Sequence, residues 1–267
     1  MSDRVEVTIT DGVADVRLNR PDKLNALDLA MFEALIDVGA DLAGRSGVRA
    51  VVLSGEGRAF CAGLDFASFM SAQETKGKGG GLLGRVNNGP ATRAQQAAYA
   101  WTSLPVPVIA AVHGVAYGGG CQIALGADVR FVAADAKFSI MEIRWGLIPD
   151  MTGTQTLRNL VRQDVAKELT YSGRIVSGTE AVEIGLATRV VDDPRTSALA
   201  LANEIASKSP DAIRAAKRLL NDAYVNDPAD GLREEARAQG ALLGSTNQAE
   251  AVRANFEKRA PRFTDPE

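Results

Sequence analysis

Histidine is almost missing from this chain, with His113 alone in 267 residues, and cysteine is nearly as scarce, at Cys61 and Cys121. So few of either exclude a disulfide framework and leave no Cys/His set with metal-ligand spacing, so no metal is expected. They also leave a nucleophilic cysteine without a base. His113 reads as a structural residue at a strand end, and the two cysteines as small packing residues beside glycine turns. No run reaches the roughly 18 consecutive apolar residues of a membrane helix. Met1-Ser2-Asp3-Arg4 leads straight into alternating residues, without the apolar core of a secretory signal. A net charge of −3 gives no global attraction to nucleic acid or to an anionic membrane. A reducing, cytoplasmic setting is the expectation.

What is present is an ordinary globular composition, 46% hydrophobic and 24% charged. Val5–Ile9 and Val13–Leu18 alternate apolar and polar residues around Thr10-Asp11-Gly12, which predicts a β-hairpin. Asp28 is placed to N-cap a helix running to about Leu42, with Leu29, Phe32, Leu35, Ile36 and Ala40 at helical spacing. Val48–Leu53, Val108–Val112 and Ala127–Val132 read as buried strands, and about Thr92 to Ser103 as a helix. The irregular stretch from about Ser68 to Gly89 is either a solvated loop or an active-site cover. From Gly153 onward helical signals dominate, over 154–162, 164–171, 179–184, 195–207, 210–224 and 228–243. The sum is an α/β core followed by a helical C-terminal region.

Two glycine-bearing turns stand out. A buried strand runs into His113-Gly114-Val115-Ala116-Tyr117-Gly118-Gly119-Gly120 and then a helical run from Cys121. Consecutive glycines leave backbone N–H groups uncovered, and a helix starting there adds unpaired donors and a favourable dipole. Such a turn suits a developing oxyanion; a tight packing turn would look the same. The second, Ala59-Phe60-Cys61-Ala62-Gly63-Leu64-Asp65, follows the Val48–Leu53 strand and supplies a second segment of donors if the turns converge. Nearby, Gly55-Glu56-Gly57-Arg58-Ala59-Phe60 fails as a dinucleotide fingerprint, because Phe60 stands where a small residue is needed.

With these turns, Asn19-Arg20-Pro21-Asp22-Lys23-Leu24-Asn25-Ala26-Leu27, Pro107–Gly114, Gly146-Leu147-Ile148-Pro149 and Gly153-Thr154-Gln155 resemble the crotonase superfamily, the enoyl-CoA hydratase/isomerase family. Tyr171–Ile175, Glu180-Ala181, Gly185-Leu186-Ala187 and Phe256–Arg259 extend the resemblance over nearly the whole chain. It implies an α/β fold, a crotonase-like spiral of ββα turns over residues 1–200, and a helical C-terminal trimerisation region over 201–267. It also implies an acyl-CoA thioester substrate, with no cofactor beyond the coenzyme A of the substrate, and a homotrimer or homohexamer. The family's oxyanion donors match the N–H groups of Leu64 and Gly119, with Ala62, Gly63, Asp65, Gly118 and Gln122 lining the substrate. Asp65, like Asp128, also matches a structural turn or packing position. Phe256 and Lys258 match residues that reach the CoA of a neighbouring subunit; a solvated C-terminal helix is the alternative reading.

The acid/base equipment departs from the resemblance. Enoyl-CoA hydratases carry two glutamates; the second matches Glu142, but the first falls on Gln122, which exchanges no proton at neutral pH. Asp150, eight residues after Glu142, resembles the acidic partner of dienoyl-CoA isomerases, whose acidic residue at the Gln122 position is absent here. Asp150 is alternatively an N-cap for the segment after Thr152. Glu142 is alternatively a salt-bridged surface residue, although Ile140, Met141, Ile143 and Trp145 suggest an apolar pocket that would raise its pKa. The expectation is an enoyl- or dienoyl-CoA isomerase of fatty acid metabolism with Glu142 as base. Enoyl-CoA hydratase, a lyase, and a non-catalytic acyl-CoA-binding paralogue are the alternatives.

Overall fold

The two residues between the first strands, Asp11 and Gly12, take φ of 50° and 80°. That left-handed pair matches the right-handed twist of the strands it joins. Strands β1 (Val5–Thr10) and β2 (Val13–Leu18) accordingly pair antiparallel, with Thr10 opposite Val13. The computed structural model describes residues 3–68, 81–86 and 89–266; the core of the expected Ser68–Gly89 loop lies outside the described residues.

β3 (Ala50–Gly55), β4 (Val108–Val112), β6 (Val129–Val132) and β9 (Arg189–Val190) add in parallel to β2, giving the order β1-β2-β3-β4-β6-β9. A three-stranded sheet of β5 (Val115–Tyr117), β7 (Lys137–Ser139) and β8 (Val176–Ser177) completes the β structure. β4 in the large sheet is followed by β5 in the small one and the helix Gly119–Leu125; β6 is then followed by β7. The repeating unit is strand, strand, helix, and each turn of chain stacks on the one before.

The apolar runs in β3 and β4 are continuous because both faces of the large sheet are covered. Val51, Leu53, Val108, Ala110 and Val112 face the helices Leu29–Ala43, Arg93–Ser103 and Gly119–Leu125. Ala50, Val52, Ile109, Ala111 and Phe131 face Ala198, Ala202 and Ala206 of the helix Pro194–Ala206, where alanines permit close approach. That helix spans the expected boundary at residue 200 and packs on the sheet. Beyond it lie the helices Pro210–Asp222, Pro228–Leu242 and Thr246–Phe256. Asp28 caps the helix Leu29–Ala43 through the Met31 N–H at 2.8 Å, as the sequence predicts. No helix among the described residues is long and apolar enough to cross a membrane.

Candidate active site

The two glycine turns converge. Cys61 pairs with Ala116 in a parallel bridge, the Cys61 N–H donating to Val115 and the Tyr117 N–H to Cys61. A methyl added at Gly63 would lie 2.6 Å from the Tyr117 carbonyl oxygen and 3.7 Å from the Gly119 nitrogen, so only glycine lets the segments approach. Among the described residues, no acceptor takes the Leu64 or Gly119 N–H, the latter opening the helix Gly119–Leu125. Each of the three consecutive glycines has its own steric reason. Gly118 has φ 50°, a Cβ at Gly119 would lie 2.7 Å from Met151 Sδ, and one at Gly120 would lie 2.4 Å from the Cys61 carbonyl oxygen.

A second layer holds the Cys61–Asp65 turn in place. Asn25, fully buried at φ 55°, donates from Nδ2 to the carbonyls of Glu56 (2.9 Å) and Ala59 (2.8 Å) and accepts from the Arg20 N–H (2.8 Å). The Ala62 N–H donates to Leu24, the Leu27 N–H to Gly63 and the Asp65 N–H to Leu27. Arg20 Nη1 reaches Asp65 Oδ2 at 2.8 Å, and that carboxylate also accepts the Ser68 hydroxyl and N–H. The Ser68 bonds and Arg20 hold Asp65 well below the usual carboxylate range, at about 2. Asp65 thus braces the turn, the packing role, and its carboxylate is spoken for before any ligand arrives. Sequence reasoning gave Arg20 and Asn25 no role. The signal was a polar side chain in the apolar Leu24–Leu27 stretch.

Glu142 opens the 3-10 turn Glu142–Trp145 and is buried, at 9% exposure, which excludes the salt-bridged surface alternative. Oε1 accepts from Gln122 Nε2 at 2.5 Å, and Oε2 is buried without a partner among the described residues. A Cβ at Gly118 would lie 3.5 Å from Glu142 Oε1, so the carboxyl abuts the oxyanion turn. Burial raises the Glu142 pKa and the charge of Asp150 raises it further; its own N–H and the Gln122 amide oppose them. Of the apolar neighbours the sequence suggests, Ile140 is buried and Met141 half-buried, whereas Ile143 and Trp145 are exposed. Trp145 instead meets Phe66, ring centroids 4.1 Å apart, linking the base segment to the oxyanion segment.

Asp150 is not the helix N-cap. Thr152 holds that position with no side-chain bond, and Gln122 Oε1 takes the first N–H of the helix Gly153–Leu160 at 2.9 Å. The Asp150 residue is exposed, yet partial burial of its carboxyl raises the pKa. The cysteines are inert: burial pushes Cys61 up to about 12 and raises Cys121 as well. His113 Nε2 lies 2.9 Å from the Gly57 carbonyl, a structural contact at the end of β4. Asp128 pairs with Lys217 at 2.8 Å and accepts the Val108 N–H at 2.7 Å. Phe256, 86% exposed, ends the helix Thr246–Phe256, and Lys258 follows in a left-handed turn.

The arrangement offers two bare N–H donors beside a desolvated carboxyl with one free oxygen, equipment for stabilising an enolate while a proton moves. Comparison with known proteins shows the family. Residues 8–266 match the Enoyl-CoA hydratase/isomerase family. The short-chain-enoyl-CoA hydratase of Clostridium acetobutylicum is 34% identical over 250 residues, 92% of each chain. The mitochondrial Delta(3,5)-Delta(2,4)-dienoyl-CoA isomerase of Mus musculus is 33% identical over 254 residues, 92% of this chain and 77% of that one. The crystal structure of an enoyl-CoA hydratase from Bacillus anthracis superposes with TM-score 0.88 at 32% identity, covering 97% of this chain and 98% of that one. With the match running almost from end to end in sequence and fold, the chain belongs to the enoyl-CoA hydratase/isomerase family of the crotonase superfamily.

Proposed function

We propose that the protein moves a proton along the acyl chain of an enoyl- or dienoyl-CoA, shifting a double bond. The Leu64 and Gly119 N–H groups hold the thioester oxygen as charge develops. Donors fixed before reaction stabilise the enolate more than the ground-state carbonyl. Glu142 removes the proton through Oε2, and Asp150 serves as the second acid/base. The observation that carries the reading is the single free oxygen of Glu142 beside Gln122, whose amide occupies the place of a second carboxylate. A site that activates water between two carboxylates lacks one of them here.

On this reading coenzyme A is part of the substrate and no other cofactor takes part. Ala62, Gly63, Gly118 and Gln122 line the substrate, and Phe256 and Lys258 meet the CoA bound to a neighbouring subunit of a cytoplasmic trimer or hexamer. Hydratase activity is the second reading, favoured by the similarity to the Clostridium acetobutylicum hydratase, with Gln122 orienting water. Purified protein offered 3-enoyl-CoA, 3,5-dienoyl-CoA and crotonyl-CoA separates the two. Double-bond migration in the first or second is expected. Fast hydration of crotonyl-CoA with no migration in either of the others would overturn the isomerase reading.

A further inference from the structure

The structure assigns Gln122 the role of positioning residue: it grips Glu142 and the loop carrying Asp150 in one fixed relation, leaving Glu142 a single working oxygen. This rests on the reading of Glu142 as the base.

The orientation of the Gln122 amide follows from its partners. The N–H groups of Met151 (2.8 Å) and Gly153 (2.9 Å) both donate to Oε1, so the amide nitrogen has to point the other way, at Glu142 Oε1. The side chain is 1% exposed, and a Cβ at Gly153 would lie 2.7 Å from Gln122 Oε1, so the fit depends on that glycine. Between the two gripped residues, Thr152 stands at φ 71° with its hydroxyl buried and unpartnered among the described residues. A β-branched residue in that region is strained and persists only where its surroundings over-determine it. Gln122 supplies that constraint from the helix Gly119–Leu125. Asp150 lies immediately before Met151, so the same amide that seats Glu142 fixes the loop from which Asp150 projects.

A glutamate at position 122 would accept the same two N–H bonds, but its other oxygen would meet Glu142 Oε1 at the present 2.5 Å. Two carboxylates so close titrate as a coupled pair, holding one proton and one charge between them over a range of pH, so the charge would be divided between positions 122 and 142. The other titratable groups facing Glu142 are Asp150 and the Cys121 thiol, which burial keeps protonated. Gln122 therefore keeps Glu142 a lone carboxylate.

The test follows the Glu142 carboxyl by carbon-13 NMR titration in the full-length protein, assigned by its disappearance in Glu142→Gln, alongside turnover of 3-enoyl-CoA. Gln122→Glu keeps both backbone contacts and so keeps the loop; Gln122→Leu removes both ends of the clamp. Loss of the amide donor removes a bond that favours the charged form, so the Glu142 titration is expected to move upward by about one pH unit or more in both variants. The acid limb of the rate profile should follow, with kcat lower by about 10- to 100-fold at neutral pH and KM within about threefold. If both variants keep the wild-type titration and rate profile while Glu142→Gln is inactive, the clamp is refuted and the base stands. If Glu142→Gln turns over like wild type, the base reading itself has failed.

Discussion

Glu142 pairs one carboxylate oxygen with Gln122 and leaves the other bare, so removing its charge should separate catalysis from stability. Glu142→Gln should lower kcat by about 10²- to 10⁴-fold, the usual contribution of a positioned base, with KM little changed in steady-state assays. The sign of the stability effect is opposite. The folded pKa of Glu142 is raised, so the native state binds its proton more tightly than the unfolded chain does. Stability is therefore lost as pH rises from the unfolded value toward the folded one. Glu142→Gln should melt higher than wild type at neutral pH, with the advantage gone below about pH 4, where both states are protonated. Thermal melts at the two pH values check this; an advantage that persists in acid would contradict it. The raised pKa and its cause, desolvation, were legible from the apolar neighbours of Glu142; of these Ile140 is buried as expected, while Ile143 and Trp145 are exposed.

At the scale of elements, the oxyanion turns hold their shape through contacts distant in sequence. Gly119→Ala would press a methyl to within 2.7 Å of Met151 Sδ and 2.9 Å of Leu27 Cδ1, both movable side-chain atoms. Folding should survive with a loss of about 1–3 kcal/mol, read by denaturant titration, while turnover drops because the donor shifts. Asn25→Ala removes two buried donor bonds and one acceptor bond that tie the Leu24–Leu27 stretch to Glu56, Ala59 and Arg20. It should destabilise by about 2 kcal/mol or more and lower kcat without touching the substrate. Helices were the most legible elements: the expected 210–224 and 228–243 are observed as Pro210–Asp222 and Pro228–Leu242, because caps and periodicity are local signals. Strands were less so. β3 begins at Ala50 rather than Val48, since its register is set by pairing with β2. The short β8 and β9 exist only through their partners, β7 and β6, and left no periodic trace. The helix Thr246–Phe256 was legible only as an alternative reading of the Phe256 region, without bounds.

At the scale of the whole molecule, a buried lysine paired with an exposed aspartate joins the core to the C-terminal helices. Lys217, from the helix Pro210–Asp222, donates to the carbonyls of Trp101 and Val106 and to Asp128 beside β6. Asp128→Asn would leave a largely buried ammonium with its two carbonyl acceptors but no countercharge and should destabilise by about 1–3 kcal/mol, measured by chemical unfolding. Replacing both partners with apolar residues should recover much of that loss. The convergence of Leu64 with Gly119 belongs to this scale too. Its residues were legible from the motifs, but the braces that bring them together, Asn25 to Ala59 and Gly63 against Tyr117, are contacts only the fold reveals. The most direct measurement of the enolate account is solvent exchange at the substrate carbons. A 3-enoyl-CoA is incubated in D2O with wild-type protein and with Glu142→Gln, and deuterium at C2 and C4 is followed by NMR. Wild type is expected to introduce deuterium or migrate the double bond, and Glu142→Gln to do so at least about 100-fold more slowly. Equal rates in the two proteins, or no reaction at either carbon with wild type, would contradict it.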